Sequence, residues 1–175
     1  MPASRRLDAP GVISDEERLQ KALDLAYAYL NRRDHTVGEV RLHLQRRGVA
    51  EELTETAIQT LCGQGFLDDT RFARLFVADK RALEQWGSDR IRRGLSSRGI
   101  DRHLVDAALA GEPTSDSGDD EPESELDRAL ALLRRRFPDP PQDRRDRNRA
   151  LGMLLRKGYE TELALDALAA HTGGD

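Results

Sequence analysis

The stretch TVGEVRLHLQRRGV, residues 36–49, carries the pattern that decides the fold. Its valines and leucines recur at three- and four-residue intervals, which is the apolar stripe of an amphipathic helix. Thr36 and Glu39 have the spacing of a capping box, which predicts that the helix begins there. Gly48 stands where a left-handed residue ends a helix and lets Val49 fold back onto the last turn.

The same pattern occurs three times along the chain, aligned on Gly48, Gly99 and Gly158. Seven positions match in all copies, among them a leucine four residues before the glycine and an alanine nine residues after it. The residues directly before the glycines are all basic: Arg47, Arg98 and Lys157. A second helix follows each glycine, and an apolar stripe predicts a further helix ahead of each pair. The sequence therefore predicts an all-α fold of tandem three-helix repeats, with three units and about nine helices.

The leading helix of each repeat is marked by its own stripe. In the first repeat it runs from about residue 14 to 32, with Ser14 and Glu17 as a capping box. In the second repeat it follows Asp68 and Asp69, and in the third it covers roughly residues 123–137. The side chains expected on the inner face of the second leading helix are Phe72, Leu75 and Phe76, with Lys80 as a further candidate, and those of the third are Leu126, Leu130 and Leu133. No segment alternates with a period of two, so no strand is predicted.

Composition divides the chain further. Residues 111–125 read GEPTSDSGDDEPESE, with seven acidic residues, no basic one and no large apolar one. Such a segment cannot bury enough apolar surface to fold, so it is expected to be a flexible linker. The predicted segments are a disordered N-terminus at 1–13, repeats at 14–65 and 66–110, an acidic linker at 111–122 and a repeat at 123–171.

The net charge of −4 hides strongly basic regions. Residues 126–158 hold ten Lys and Arg against four Asp and Glu. The binding of a polyanion depends on the local electrostatic potential of a surface rather than on the net charge of the chain. The basic residues that recur in the repeats are therefore candidate contacts with DNA phosphate or acidic protein. For any single arginine, a solvated surface remains the simpler interpretation. The candidates are Arg32, Arg33, Arg46, Arg47, Arg90, Arg92, Arg93, Arg98, Arg134, Arg135, Arg136, Arg144, Arg145, Arg147, Arg149, Arg156 and Lys157.

Other polar and aromatic features favour structural roles. Asp68 and Asp69 could be paired carboxylates, but they also stand where a helix N-terminus favours negative charge, which is the preferred interpretation. Trp86 could stack on a base, but packing between helices is favoured, and Cys62 is expected to pack beside an apolar face. The sequence has no catalytic pair, no metal-ligand cluster and no phosphate-binding loop, so neither an enzyme nor a cofactor or metal site is expected.

The chain has no apolar run near the roughly 18 residues of a membrane span. Its first residues lack the apolar stretch of a secretory signal. A cytoplasmic protein with no membrane contact is therefore expected. No long heptad seam indicates a dimer, so the expected state is a monomer.

Two further stretches carry a resemblance: GQGFLDDTRFARLFVADKR at 63–81 and WGSDRIRRGLSSRGI at 86–100. Together with residues 36–49 they resemble the RecX family. The similarity is clear over about residues 20–110 and weaker over 124–170. The third repeat departs from the pattern, since it lacks an Asp-Asp counterpart and is preceded by the long acidic linker.

The resemblance implies an elongated, curved array of three-helix units that regulates the RecA recombinase. It implies binding to the RecA filament on single-stranded DNA, directly or through RecA, and inhibition of its growth, ATP hydrolysis and strand exchange. The alternative from the residues alone is a stand-alone nucleic-acid-binding helical protein that acts without RecA. An enzyme is a third and disfavoured alternative.

Overall fold

The helices predicted from the glycine-centred repeats are all present. The structure is a computed structural model that describes residues 14–111 and 123–173. Over these residues it contains nine α-helices and no strand, so the prediction of an all-α chain of three-helix units is confirmed. The helices are α1 (Asp15–Leu30), α2 (Val37–Arg46), α3 (Glu51–Gly63), α4 (Asp69–Ala82), α5 (Ser88–Ser96), α6 (Arg102–Ala110), α7 (Glu125–Arg136), α8 (Arg144–Lys157) and α9 (Thr161–Gly173).

Two predicted segments lie outside the described residues. These are the disordered N-terminus at 1–13 and the acidic linker, of which 112–122 are not described. The chain divides into two compact units, unit 1 (Met1–Asp68) and unit 2 (Asp69–Asp175).

Unit 1 is the three-helix assembly of α1, α2 and α3. Both predicted capping boxes are present: the Ser14 hydroxyl accepts from the Glu17 amide at 3.2 Å, and Thr36 from Glu39 at 3.1 Å. Gly48 has a φ of +78°, as expected for a helix-ending glycine. The apolar stripes meet in one core, whose buried members are Ala22, Ala26, Val40, Leu44, Ala57, Ile58, Leu61 and Leu67.

Unit 2 holds two cores, one within α4–α6 and one within α7–α9. Gly99 and Gly158 have φ values of +78° and +89°, so all three repeat glycines are left-handed as predicted. The first core is built on Ala73, Val77, Ile91, Leu95, Ile100, Val105 and Ala108. The second is built on Ala129, Leu132, Leu133, Ala150, Leu154, Tyr159, Ala164, Ala167 and Leu168.

The N-terminus of α5 meets the C-terminus of α8 within unit 2. The Gly87 amide donates to the Lys157 carbonyl at 2.9 Å, and the Asp89 amide donates to the Gly158 carbonyl at 3.1 Å. The first amides of one helix and the last carbonyls of another lack partners inside their own helices, so each end satisfies the other. A Cβ at Gly87 would lie 2.5 Å from the Tyr159 nitrogen, so only glycine permits this approach.

The Glu125 carboxylate completes the same end of α5 from α7. It accepts from the Ser88 amide at 2.7 Å and from the Ser88 hydroxyl at 2.6 Å. Gly87 itself offers no side-chain cap. The N-terminus of α5 is thus capped from the third repeat, whereas α2 is capped by its own Thr36.

Two expected core positions are wrong. Cys62 is exposed, because it follows the buried Leu61 and one step along a helix turns the side chain about 100° away. Leu75 is 49% exposed, while Ala73 and Val77 are buried. The inner face of α4 runs through these two smaller residues, and Leu75 lies well off that stripe.

The remaining motifs have structural positions. Trp86 is half-buried and packs edge-on against Phe76 with ring centroids 6.3 Å apart, as the packing interpretation predicted. Asp69 is the first residue of α4, where its charge suits the helix dipole.

Among the described residues, no group of three or more His, Cys, Asp or Glu could hold a metal ion. None of the helices in the described ranges is long and apolar enough to cross a membrane.

Candidate nucleic-acid interface

The seventeen candidate basic residues fall into two classes. Seven have side chains engaged with other described residues: Arg33, Arg90, Arg92, Arg98, Arg135, Arg149 and Lys157. The other ten are exposed and form no ion pair with a described residue. These are Arg32, Arg46, Arg47, Arg93, Arg134, Arg136, Arg144, Arg145, Arg147 and Arg156.

In unit 1 the ends of α1 and α2 bring basic and aromatic side chains together. Arg32 follows the last turn of α1, and Arg47 caps the C-terminus of α2. Between them lies a groove of about 390 Å³. Its lining consists of Leu25, Ala28, Tyr29, Arg32, His43 and Arg47.

An aromatic stack forms the wall of this groove. The Tyr29 ring stacks on the His43 imidazole with centroids 4.1 Å apart and planes 5° from parallel. It also stacks on the His35 imidazole at 3.7 Å. His35 is buried, and its Nδ1 lies 2.9 Å from a carboxylate oxygen of Glu39, which fixes the ring. The contact between His35 and Glu39 therefore holds the stacked rings in place.

The potential at the groove is positive. Burial lowers the pKa of His43, and the neighbouring charges of Arg47, His35, Arg32 and Arg46 lower it further. The guanidinium groups of Arg32, Arg46 and Arg47 near this imidazole therefore make the groove an anion-attracting surface.

Glu39 is the acid next to the stack, but its charge is already compensated. Burial raises the pKa of its carboxyl, and hydrogen bonds from Arg33 and His35 outweigh that effect, so that the pKa is lowered overall. Arg33 Nη2 lies 3.2 Å from the Glu39 carboxylate. Arg33 therefore already pairs with a carboxylate of unit 1.

In the second repeat the candidate arginines mostly serve the protein itself. The Arg90 guanidinium lies 4.2 Å over the Trp86 ring and donates to the Arg156 carbonyl at 3.0 Å. Arg92 pairs with Asp106 at 3.3 Å and with Asp89 at 3.5 Å. Of the candidates in this repeat, only Arg93 is exposed and outside any ion pair with a described residue.

Arg98 differs from the expectation that its side chain reaches solvent. It is half-buried, its Nη1 donates to the Gly94 carbonyl at 2.7 Å, and its guanidinium lies 4.9 Å over the Phe76 ring. The Gly94 carbonyl and the Phe76 ring therefore hold this side chain against the protein.

The third repeat presents the largest group of exposed arginines. Arg134 and Arg136 lie in the last turn of α7, where the helix dipole favours a cation. Arg144, Arg145 and Arg147 lie in the first turns of α8, where it does not. Helix stability therefore does not explain these three positive charges.

Two other basic residues of this repeat tie it to the second. Lys157 Nζ donates to the Glu84 carbonyl at 2.6 Å, and Arg135 donates to the Gln85 side chain. Arg149 forms a long ion pair with Asp146 at 4.0 Å, close to the limit of such contacts.

Tyr29 and His43 were not among the residues singled out from the sequence. A signal was present: Tyr29 and Arg32 are three residues apart, and His43 and Arg47 are four apart, so each pair shares one helix face. What the sequence did not reveal is that the two faces meet, because that depends on how α1 packs on α2.

Comparison with known proteins gives a consistent result along the chain. Residues 22–61, 68–109 and 123–168 match the family models of the first, second and third three-helix domains of RecX, respectively. The regulatory protein RecX of Xanthomonas campestris pv. campestris is 36% identical over 147 residues, which cover 83% of this chain and 82% of the relative. That of Trichlorobacter lovleyi is 34% identical over 141 residues, with coverage of 79% and 87%.

The fold is shared with a solved structure as well. The crystal structure of RecX from Lactobacillus salivarius superposes with a TM-score of 0.72 at 20% identity, covering 89% of this chain and 97% of that one. The resemblance inferred from the sequence motifs is confirmed by these matches. The chain therefore belongs to the RecX family of regulatory proteins.

Proposed function

We propose that this protein binds the RecA filament on single-stranded DNA and inhibits its growth, ATP hydrolysis and strand exchange. In this role it would restrain recombination during DNA repair and the SOS response. The observation that carries the proposal is the family membership, which extends over all three three-helix domains. It acts by binding, as a monomer in the cytoplasm, and needs no catalytic group.

The exposed arginines supply the chemistry for such binding. Guanidinium groups bind phosphate and carboxylate in forked pairs, and ten of them are exposed outside any ion pair with a described residue. Those at the start of α8 support the proposal most, because Arg144, Arg145 and Arg147 stand against the helix dipole. Phosphate contacts would make binding weaken as salt rises.

The test is the ATPase rate of RecA on single-stranded DNA with increasing amounts of this protein. We expect the rate to fall as the protein is added. A rate that stays unchanged at saturating protein would contradict the proposed inhibition.

The triple variant Arg144→Gln, Arg145→Gln, Arg147→Gln tests whether the start of α8 contributes to the suppression of RecA. We expect it to keep the wild-type melting temperature and to need several-fold more protein for half suppression. The matched control removes three positive charges elsewhere, with Arg18→Gln, Lys21→Gln and Arg102→Gln, and should suppress like wild type. Equal suppression by both triples would exclude the start of α8 from the contact.

Single-stranded DNA binding with and without RecA separates the proposal from the stand-alone alternative. The proposal predicts that RecA and a nucleotide strengthen binding. Binding that is indifferent to RecA would favour a nucleic-acid-binding protein that acts alone.

A further inference from the structure

The groove between the ends of α1 and α2 combines two properties in one place. It has an aromatic wall whose outer ring is His43, because Tyr29 is stacked between the His43 and His35 imidazoles. It also has exposed guanidinium groups, Arg32 and Arg47, on its lining. Its volume of about 390 Å³ is within the range of small-molecule sites.

The two arginines are not used by the fold. Neither forms an ion pair with a described residue, although Arg41 on the same α2 is held by Glu55 at 2.7 Å. A cation at a helix C-terminus contributes only a few tenths of a kcal/mol. The His43 ring likewise lies half-buried at the groove surface rather than in the core.

We propose that this groove binds one nucleotide of a DNA single strand, with its phosphate held by Arg32 and Arg47 and its base against the aromatic wall. The proposal deepens the proposed function and rests on it, since it names a surface through which the DNA of the filament is contacted. Base stacking on aromatic rings beside a cationic track is how single strands are bound without sequence preference.

An acidic protein segment is the competing occupant, but the wall argues against it. Carboxylates require cations only, and a planar wall adds nothing to their binding. A nucleotide uses both halves of the groove, because each base has a flat face that stacks on rings whatever the sequence.

The phosphate half is tested with the full chain and a labelled oligothymidylate, by fluorescence anisotropy over a range of salt concentrations. The double variant Arg32→Gln, Arg47→Gln is compared with the control Arg18→Gln, Arg102→Gln, which removes two exposed positive charges that do not line the groove. The slope of log affinity against log salt should become shallower by about 0.7 for each phosphate that is no longer bound, and only in the groove variant. Equal slopes in the two variants would overturn the site.

The base half is tested with His43→Gln. We expect about fivefold weaker binding to the oligothymidylate with an unchanged salt slope, because the substitution removes a stacking surface and leaves both phosphate-binding arginines in place. On an abasic oligonucleotide the same variant should bind like wild type. An equal decrease in affinity for both strands would overturn base stacking at this wall.

Two further arms identify the source and separate the two proposals. Free thymidine monophosphate should compete only weakly with the oligothymidylate. Full competition at equal phosphate concentration would contradict the proposal that the groove binds a DNA strand. If the wild-type protein does not suppress RecA but the groove variants bind the oligonucleotide more weakly than wild type, the proposed function is wrong and the nucleotide site at the groove is supported. If suppression is normal and oligonucleotide binding is unchanged in the groove variants, this site fails alone.

Discussion

Gly48 and Gly158 occupy the same place in the first and third repeats, yet their surroundings differ. Both are left-handed, with φ values of +78° and +89°. Around Gly48 no neighbouring atom of the described chain lies within 4 Å of a Cβ position, whereas at Gly158 that Cβ would lie 2.6 Å from the Arg90 nitrogen. The same motif therefore ends a helix in both repeats, and in the third repeat it also contacts the N-terminus of α5.

The basic residue before each glycine shows the same difference. Arg47 is exposed at a groove, Arg98 lies along α5 over Phe76, and Lys157 donates to the Glu84 carbonyl. A recurring position in a repeat thus predicts a local role, such as a helix end, but not a contact. Which contact is made depends on what packs beside this position, which is the same repeat at Arg98 and another repeat at Lys157.

The largest expected effect comes from Gly158→Ala. The new Cβ meets the Arg90 backbone in addition to the strain of a left-handed φ, so we expect unit 2 to lose about 3 kcal/mol of unfolding free energy or more. Urea unfolding followed by the fluorescence of Trp86, the only tryptophan, measures it.

Gly48→Ala is the matched control, with the strain but without the clash. It should cost unit 1 about 1 kcal/mol, seen as a small decrease in the protection of the α2 amides in hydrogen exchange. Equal costs for the two substitutions would show that the contact between α5 and α8 is not close.

A smaller effect is expected at the cap that α5 receives from α7. Glu125→Ala removes the acceptor of the Ser88 amide and hydroxyl and should destabilise unit 2 by about 1 kcal/mol, the usual cost of removing a helix cap. Glu162→Ala, at an exposed site in the first turn of α9, is the control. No shift of the Trp86 urea midpoint in the Glu125 variant would mean that the long-range cap contributes nothing.

The sequence predicted the features that are settled within one turn or one helix. The capping boxes at Ser14 and Thr36 and the left-handed glycines depend on residues a few positions apart, and all are present. The preference for large apolar side chains predicts Leu75 on the inner face of α4, but the buried stripe of that helix runs through the smaller Ala73.

The contacts between different helices could not be predicted in this way. Gly87 reads as an ordinary helix-preceding glycine, and only the structure shows that the Gly158 backbone approaches it. Arg98 was expected in solvent, because its neighbour Phe76 belongs to a different helix. The groove of unit 1 shows the same limit. The sequence predicts its arginines but not its aromatic wall, which depends on how α1 packs on α2.

A still smaller effect is expected from the pH dependence of unit 1. The pKa of His43 is lowered in the folded state by burial and by the surrounding cations, so the folded chain binds fewer protons than the unfolded one. Stability is therefore full above the unfolded pKa of about 6.5 and falls as the pH drops through it. Thermal unfolding by circular dichroism should show this decline, and His43→Gln should reduce it. An unchanged decline in the His43 variant would show that this imidazole does not cause it.

The central claim is that Arg47 and Arg98, which are equivalent in the repeat, have different roles. The direct test measures oligothymidylate binding and unfolding for Arg47→Gln and Arg98→Gln in parallel. We predict that Arg47→Gln makes the salt slope shallower, by about 0.7 at most, because Arg32 still contacts the same phosphate, and changes stability by a few tenths of a kcal/mol at most. Arg98→Gln should lower the stability of unit 2 by about 1–2 kcal/mol and leave the salt slope unchanged. A salt slope that changes for Arg98→Gln but not for Arg47→Gln would contradict the account.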